Sequence, residues 1–552
     1  MFSKGSVFVI GLDGATFDLL DPLMDAGVMP NLQHLIQAGS SGVLRSTIPP
    51  VTAPAWASFQ TGTNPGQHGI VDFLRYQPGS YEPVLVDARA IQGRTLWSIL
   101  SEHQRRICVM NVPLTYPPQP VHGYLISGFL TPSTDVPFAY PRELREQLLA
   151  RVPDYVIAPA VDIVTSGTVP FVKALQHTVE QRHEAARWLI EQGPWDFFMV
   201  HFQATDVLQH ALWDCLDPTQ PGFVRYSPSE RELVRQFYRT LDHIIGDLVQ
   251  LADGATIVVM SDHGFGPARR RVYLNRWLVN QGYMALRASE LWTRTQAGLE
   301  NLVKTLDVLN LRRRWLPRDF IGQRGNLIRQ LTQSPWIEWA RTRASLFSGS
   351  TFGNLYVNRA GRDPLGVVTE SEYERLRTTL IECFQMLVDP DVDQPVVEQT
   401  YRREEVFAGP MMAELPDLIV RPQGGYLLET RFKGTSLFGP LPQGLTGLHR
   451  LDGMCVFTGG PFVAQPQRPV VNLVDLAPTI LYLLGIPVPD GMDGRVLTEL
   501  LDTAYQPAPE QPALAGRPQV EQPTPVQGTV PQGYSTEEEA QVVERLRRLG
   551  YL

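Results

Sequence analysis

Ser6–Gly14 reads SVFVIGLDG, an unbroken apolar run from Val7 to Ile10 that passes through Gly11 and Leu12 into an aspartate and a second glycine. A run of this kind predicts a strand over Val7–Gly11, with the Asp13 carboxylate in the loop at its end. The pattern recurs. Ile107–Asn111, Phe197–His201, Thr256–Met260, Leu418–Arg421 and Met454–Phe457 are further apolar runs of strand length. Helical periodicities fall between them. Leu233, Phe237, Leu241, Ile245 and Leu248 recur every three or four residues as one amphipathic face, and Val172–Ile190 reads as a long helix stopped at Gly193-Pro194. The alternation predicts an α/β fold, a central mainly parallel sheet flanked by helices, with an inserted cap region.

The 552 residues are 43% hydrophobic and 19% charged, the balance of a folded globular protein. A formal charge of −9 excludes a general nucleic-acid binder, which needs a basic face. Cys108, Cys215, Cys383 and Cys455 are scattered with no CxxC pair, so neither a disulfide framework nor a thiolate zinc site is expected. The residues before the first strand lack the basic, apolar and cleavage segments of a signal peptide, and the apolar runs are too short to span a bilayer. The expectation is a soluble, cytoplasmic protein. Residues 1–271 and 416–502 are expected to form the two parts of the core. Residues 272–415 would be the insertion, its basic, Trp- and Leu-rich stretch Leu291–Ala340 partly helical. A Pro/Gln-rich linker is expected over 503–534 and a short helix over 535–552, a tail that offers an oligomer or partner contact.

Ligands of α/β sheets gather where strands end. Here those ends carry Asp13, then Asp206 and His210 after Phe197–His201, then Asp262 and His263 after Thr256–Met260, with His449 just before Met454–Phe457. Asp206 and His210 are four apart and share a helix face. Taken singly, each has a structural reading, as a helix cap, a turn residue or a salt-linked pair. Together they offer the Asp and neutral His donors that Zn²⁺ or Mn²⁺ accepts when no cysteine is present, in two sets of three. His34, His177, His183 and His243 fall in helical patterns, and His103 and His122 in polar or turn contexts. His68 reads as a structural hydrogen-bonding residue, while His201, ending a strand, could support a ligand from behind.

A second stretch, STIPPVTAPAWAS over Ser46–Ser58, supplies a hydroxyl. Pro54 suits the first turn of a helix starting just after Thr52, which places Thr52 where backbone N–H groups face an anion. Thr52 is therefore either a nucleophile activated by a divalent cation or simply the cap of that helix.

These residues resemble the alkaline phosphatase superfamily, in particular its type I phosphodiesterase/nucleotide pyrophosphatase branch. The matching motifs are Gly11-Leu-Asp-Gly14, Pro50-Val-Thr-Ala-Pro54 with Thr61-Gly-Thr-Asn-Pro-Gly-Gln-His-Gly69, Thr205-Asp206 with His210, Ser261-Asp-His-Gly264, Gly447-Leu-His-Arg450, Asp475-Leu-Ala-Pro-Thr-Ile-Leu481 and Asp493-Gly-Arg495. The resemblance implies two divalent metal ions, most often zinc. Asp13, Thr52, Asp262 and His263 would hold one, and Asp206, His210 and His449 the other. It also implies that Thr52 is transiently phosphorylated by a small phosphorylated substrate and then released by water. Two positions depart from the nucleotide pyrophosphatases: Phe73 stands where they carry an asparagine, and Ala55 follows Pro54 in place of another asparagine. Sulfatases are disfavoured, because Thr52 and Trp56 replace their Cys/Ser and arginine. The expected activity is a metal-dependent hydrolase of phosphodiester or nucleotide pyrophosphate-like bonds. The alternatives are a phosphomonoesterase, phosphonate hydrolase or phosphomutase of the same superfamily, or a non-catalytic protein that keeps the metal site.

Overall fold

In the computed structural model, strand Phe2–Leu12 lies at the centre of a nine-stranded sheet. The structure describes residues 2–159, 161–287, 336–432, 436–465, 467–502, 505, 533–549 and 551. From one edge, the strand order is Val470–Asn472, Ser40–Arg45, Asp452–Thr458, Thr256–Met260, Phe2–Leu12, Trp195–Phe202, Ile107–Met110, Gly123–Ile126 and Ala139–Tyr140. Pairing is parallel from Thr256–Met260 through Gly123–Ile126. Asp452–Thr458 and Ala139–Tyr140 run antiparallel to their neighbours. The result is the mainly parallel, helix-flanked sheet that the strand and helix patterns predict.

Residue alternation explains why both faces must be covered. Phe8, Ile10, Phe198 and Val200 point into one apolar cluster, with the helices Thr168–Glu191 and Pro228–Leu251 over them. Val7, Val9, Phe197 and Met199 point into the other, which holds Trp56, Phe59, Leu476 and Ile480. In Pro228–Leu251, Val234, Phe237, Leu241, Ile244, Ile245 and Leu248 are buried; Ser227 and Glu230 form a reciprocal capping box at its start.

Leu418–Arg421 is a strand, but not of this sheet. Leu418–Pro422 pairs with Gly353–Val357 and Val397–Arg402 in a separate antiparallel sheet whose fourth member is Ala344–Gly349. Its uninterrupted apolar character has a local cause. Leu418 and Val420 face a cluster with Leu346, Leu380 and Phe384, while Ile419 faces Val71 and Phe352 on the other side. A strand covered on both faces reads alike in either sheet. The same unit continues past residue 415 through Tyr426–Glu429, which pairs with Arg270–Tyr273 beside Phe438–Gly439. The helical reading of Leu291–Ala340 falls almost wholly on 288–335, outside the described residues, as does the linker up to 532. The last described helix, Thr536–Arg548, buries Val542, Val543 and Leu546 in the main core. Among the described residues, no helix is long and apolar enough to cross a membrane.

Candidate active site

Four chain segments deliver the six Asp and His residues of the site to one end of the main sheet, and a fifth delivers Thr52. Asp13 leaves the central strand with its N–H bonded to the Phe202 carbonyl at 3.1 Å. Asp262 follows the adjacent strand, and its Oδ1 accepts the Gly14 N–H at 3.2 Å. Gly14 itself sits at φ +68, and a Cβ there would come within 2.7 Å of the Phe265 ring, so this turn requires glycine. Asp206 and His210 lie in the helix Ala204–Leu216 that follows Trp195–Phe202. His449 arrives on a two-stranded ribbon in which Gly447–Arg450 runs antiparallel to Gly264–Pro267 and His449 faces Phe265.

Helix Thr52–Thr61 brings the hydroxyl. It begins at Thr52 itself, one residue earlier than the sequence predicts, because Val51 is the N-cap and no side chain caps the helix. The Thr52 hydroxyl is thus not spent on capping. It lies 3.4 Å from His263 Nε2, fully buried.

All seven residues converge. The ligand atoms of Asp13, Asp262 and His263 lie within 4.8 Å of one another, as do those of Asp206, His263 and His449, so His263 stands between the two groups. His210 Nε2 adds a further donor, 3.5 Å from Asp206 Oδ1 and 2.9 Å from His449 Nε2. The His263 and His449 rings stack with centroids 3.7 Å apart.

The imidazole tautomers follow from their backbone partners, because a carbonyl only accepts. His210 Nδ1 donates to the Gly447 carbonyl, His263 Nδ1 to the Gly264 carbonyl and His449 Nδ1 to the Pro50 carbonyl, at 3.0, 3.1 and 3.0 Å. In the neutral ring each Nε2 lone pair then faces the centre, the arrangement of a metal-ligating histidine. Burial holds His263 well below the usual imidazole range, reinforced by His449, and lowers His210 to about 4 despite Asp206. Two lone-pair nitrogens 2.9 Å apart repel unless a proton or a metal cation relieves the contact.

The carboxylates show the same deficit of positive charge. Burial, then repulsion from neighbouring aspartates, raises Asp13 and Asp262 well above the carboxylate range. Burial also works to raise Asp206, but His210 and His449 hold it below that range. Asp13 Oδ1 and Asp262 Oδ2 are buried without a hydrogen-bond partner. Unpaired buried carboxylate oxygens beside neutral imidazoles are a donor set that fits divalent cations.

Trp56 and His201 support the site from behind, and Tyr551 reaches into it between Asp206 and Thr52. Trp56 Nε1 donates to Asp13 Oδ2 at 3.2 Å, and His201 Nε2 lies 2.9 Å from the same oxygen while its Nδ1 donates to the Asn111 carbonyl. Tyr551 donates its phenol to Asp206 Oδ2 at 2.5 Å. The sequence flags His201 by its place at a strand end. Trp56 is hidden in an apolar helix, and Tyr551 lies 345 positions from its partner, beyond any local pattern. His68 stays structural: it accepts from the Ile70 N–H through Nδ1 and shares a 2.8 Å contact with Ser58 Oγ.

Residues 7–449 match the type I phosphodiesterase/nucleotide pyrophosphatase family. Among solved structures, a phosphonoacetate hydrolase from Sinorhizobium meliloti 1021, crystallised with phosphonoformate, is similar at 17% identity and a TM-score of 0.55. That match covers 87% of this chain and 95% of the hydrolase, and at such identity it speaks to the fold alone. Human ectonucleotide pyrophosphatase/phosphodiesterase 5 matches at 13% identity and a TM-score of 0.49, over 90% of this chain and all of that one. No curated protein matches the chain. By a family match that spans most of its length and every strand that carries the candidate site, the chain belongs to the type I phosphodiesterase/nucleotide pyrophosphatase family, phosphoester hydrolases of the alkaline phosphatase superfamily.

Proposed function

We propose that the protein is a metal-dependent hydrolase of phosphodiester or nucleotide pyrophosphate-like bonds, with Thr52 as nucleophile. The observation that carries this reading is the Thr52 hydroxyl, uncommitted to capping, 3.4 Å from His263 Nε2 and hydrogen-bonded with the Tyr551 phenol, among buried donors that lack positive charge. Asp13, Thr52, Asp262 and His263 would hold one divalent cation and Asp206, His210 and His449 the other, Zn²⁺ by preference and Mn²⁺ as the alternative. Such cations supply the charge that favours the Thr52 alkoxide and stabilises the leaving oxygen. Thr52 Oγ1 attacks phosphorus, the bond to the leaving oxygen breaks, and the alcohol or phosphate departs. Water then attacks the phosphothreonine, the Oγ1–P bond breaks and the hydroxyl returns. The first turn of Thr52–Thr61 presents N–H groups without intrahelical acceptors to the phosphoryl oxygens.

Purified protein should cleave bis-p-nitrophenyl phosphate, and Thr52→Ala should lower kcat by about a thousandfold or more. Undiminished activity in that variant, or after exhaustive chelation, would remove the proposal. Metal analysis of the active protein identifies the ion.

A second reading, hydrolysis of a small phosphonate or phosphomonoester, is supported by enclosure. The seven residues are each at most 7% exposed, with the Tyr551 ring 4.9 Å from Phe73 beside them, which restricts space for a second ester arm. Parallel turnover of a monoester, a diester and phosphonoacetate decides between the two. A reducing, cytoplasmic setting is supported by four unpaired cysteines; cell fractionation tests it.

A further inference from the structure

Each candidate carboxylate is held by one oxygen and leaves the other for the centre. Asp13 Oδ2 receives Trp56 Nε1 and faces His201, while its Oδ1 has no hydrogen-bond partner. Asp262 Oδ1 receives the Gly14 N–H, while its Oδ2 has none. Asp206 follows the same plan with a donor from a remote part of the chain. Its Oδ1 faces His449 Nε2 at 3.1 Å, and its Oδ2 takes the Tyr551 phenol at 2.5 Å.

Tyr551 is fixed there by its own helix. Its N–H donates to the Leu546 carbonyl at 2.9 Å, and Val542, Val543 and Leu546 on Thr536–Arg548 are fully buried. Arg545 donates to the carbonyls of Thr131 and Pro132, both at 2.6 Å, while Tyr116 reaches Glu538 and Tyr534 reaches the Leu130 carbonyl. The phenol ring is edge-on to His210 and His449 and packs on Phe73 and Phe129. A side chain merely filling space at this point has no need of a hydroxyl.

We infer that Tyr551 is a positioning residue for the Asp206–His210–His449 group: it holds Asp206 Oδ2 so that Oδ1 alone is presented to a cation, which makes the last helix part of the catalytic centre. The inference rests on the metal reading above. Losing a donor behind a ligand weakens metal binding by roughly 10- to 100-fold.

The test uses the full chain stripped of metal and titrated calorimetrically with Zn²⁺ alone, with Co²⁺ absorption as a second readout. The wild type should take two ions. Tyr551→Phe keeps the ring and its packing, and should weaken one of the two affinities about 10- to 100-fold and the other, whose Thr52 also touches the phenol, by clearly less. With metal at fixed concentration, kcat should fall more than KM rises. Arg545→Ala, which loosens the helix without touching the metal group, should weaken the same affinity. Unchanged metal affinities in Tyr551→Phe, or equal losses at both sites, would overturn the inference. So would faster hydrolysis by Tyr551→Phe, because the phenol would then be a plug. A wild-type protein that takes up no metal would instead remove the metal reading itself.

Discussion

Asp13 shows how much a single residue depends on neighbours far away in sequence. Its position at a strand end is a local consequence of SVFVIGLDG, but its ionisation is set by burial and by Asp262 and Asp206, and its orientation by Trp56 and His201. Trp56→Phe retains a smaller aromatic ring in the cluster and removes the N–H donor to Oδ2. It should therefore lower kcat/KM and metal affinity by about tenfold or more, with a moderate loss of melting temperature from the vacated volume; paired kinetics and thermal unfolding check this. Wild-type metal affinity in that variant would show that the indole acts only by packing. Thr52 makes the opposite point. Its role as cap or nucleophile is open in the sequence and turns on one residue of helix phase: with Val51 as N-cap, the hydroxyl is released toward His263.

At the scale of elements, the buried face of helix Pro228–Leu251 was legible from the spacing of its apolar residues. Its start, with Pro228 in the first turn and the Ser227/Glu230 capping box, is supplied by the structure. Val234 takes the fully buried place where the spacing suggested Leu233, which is only partly buried, a shift within the breadth of an apolar stripe. Ser227→Ala should cost about 1 kcal/mol in urea unfolding and leave hydrolysis unchanged, since the cap lies outside the catalytic group. Leu418–Pro422 was legible as a strand but not as to its sheet. Hydrophobic pattern fixes the period of a strand and how many of its faces are covered; its hydrogen-bonding partner is a matter of tertiary pairing.

At the scale of the whole molecule, the sheet core and the second unit meet through buried polar groups. Asp72, 8% exposed, bonds to the Phe73 N–H and to Asn354 of the smaller antiparallel sheet. Burial pushes its carboxyl up to about 6. A raised carboxyl binds its proton more tightly in the folded chain than in the unfolded one. Its stabilising contribution is therefore complete below about pH 4 and is lost as pH rises through about 6. Up to about 3 kcal/mol is at stake over that window. Asp72→Asn should flatten the decline of unfolding free energy between about pH 4 and 6, measured by urea titration; an unaltered slope would contradict the assignment. On the proposed reading, metal would act on the same scale. Cations bound only by the folded centre should raise the melting temperature in proportion to the logarithm of their concentration, and chelation should abolish that rise.

By itself, the sequence determined the α/β class and the strands of the main sheet, and it singled out six Asp and His residues near their ends, with Thr52 left open between cap and nucleophile. It could do so because apolar periodicity and the placement of polar groups at strand ends are properties of short stretches. Only the tertiary structure decided what each of those groups faces. It set His263 between the two ligand groups, turned the three Nε2 atoms inward by occupying each Nδ1 with a carbonyl, and brought Tyr551 onto Asp206. These are contacts between segments tens to hundreds of residues apart, and no local pattern encodes them. They arise when the sheet and the last helix are packed together.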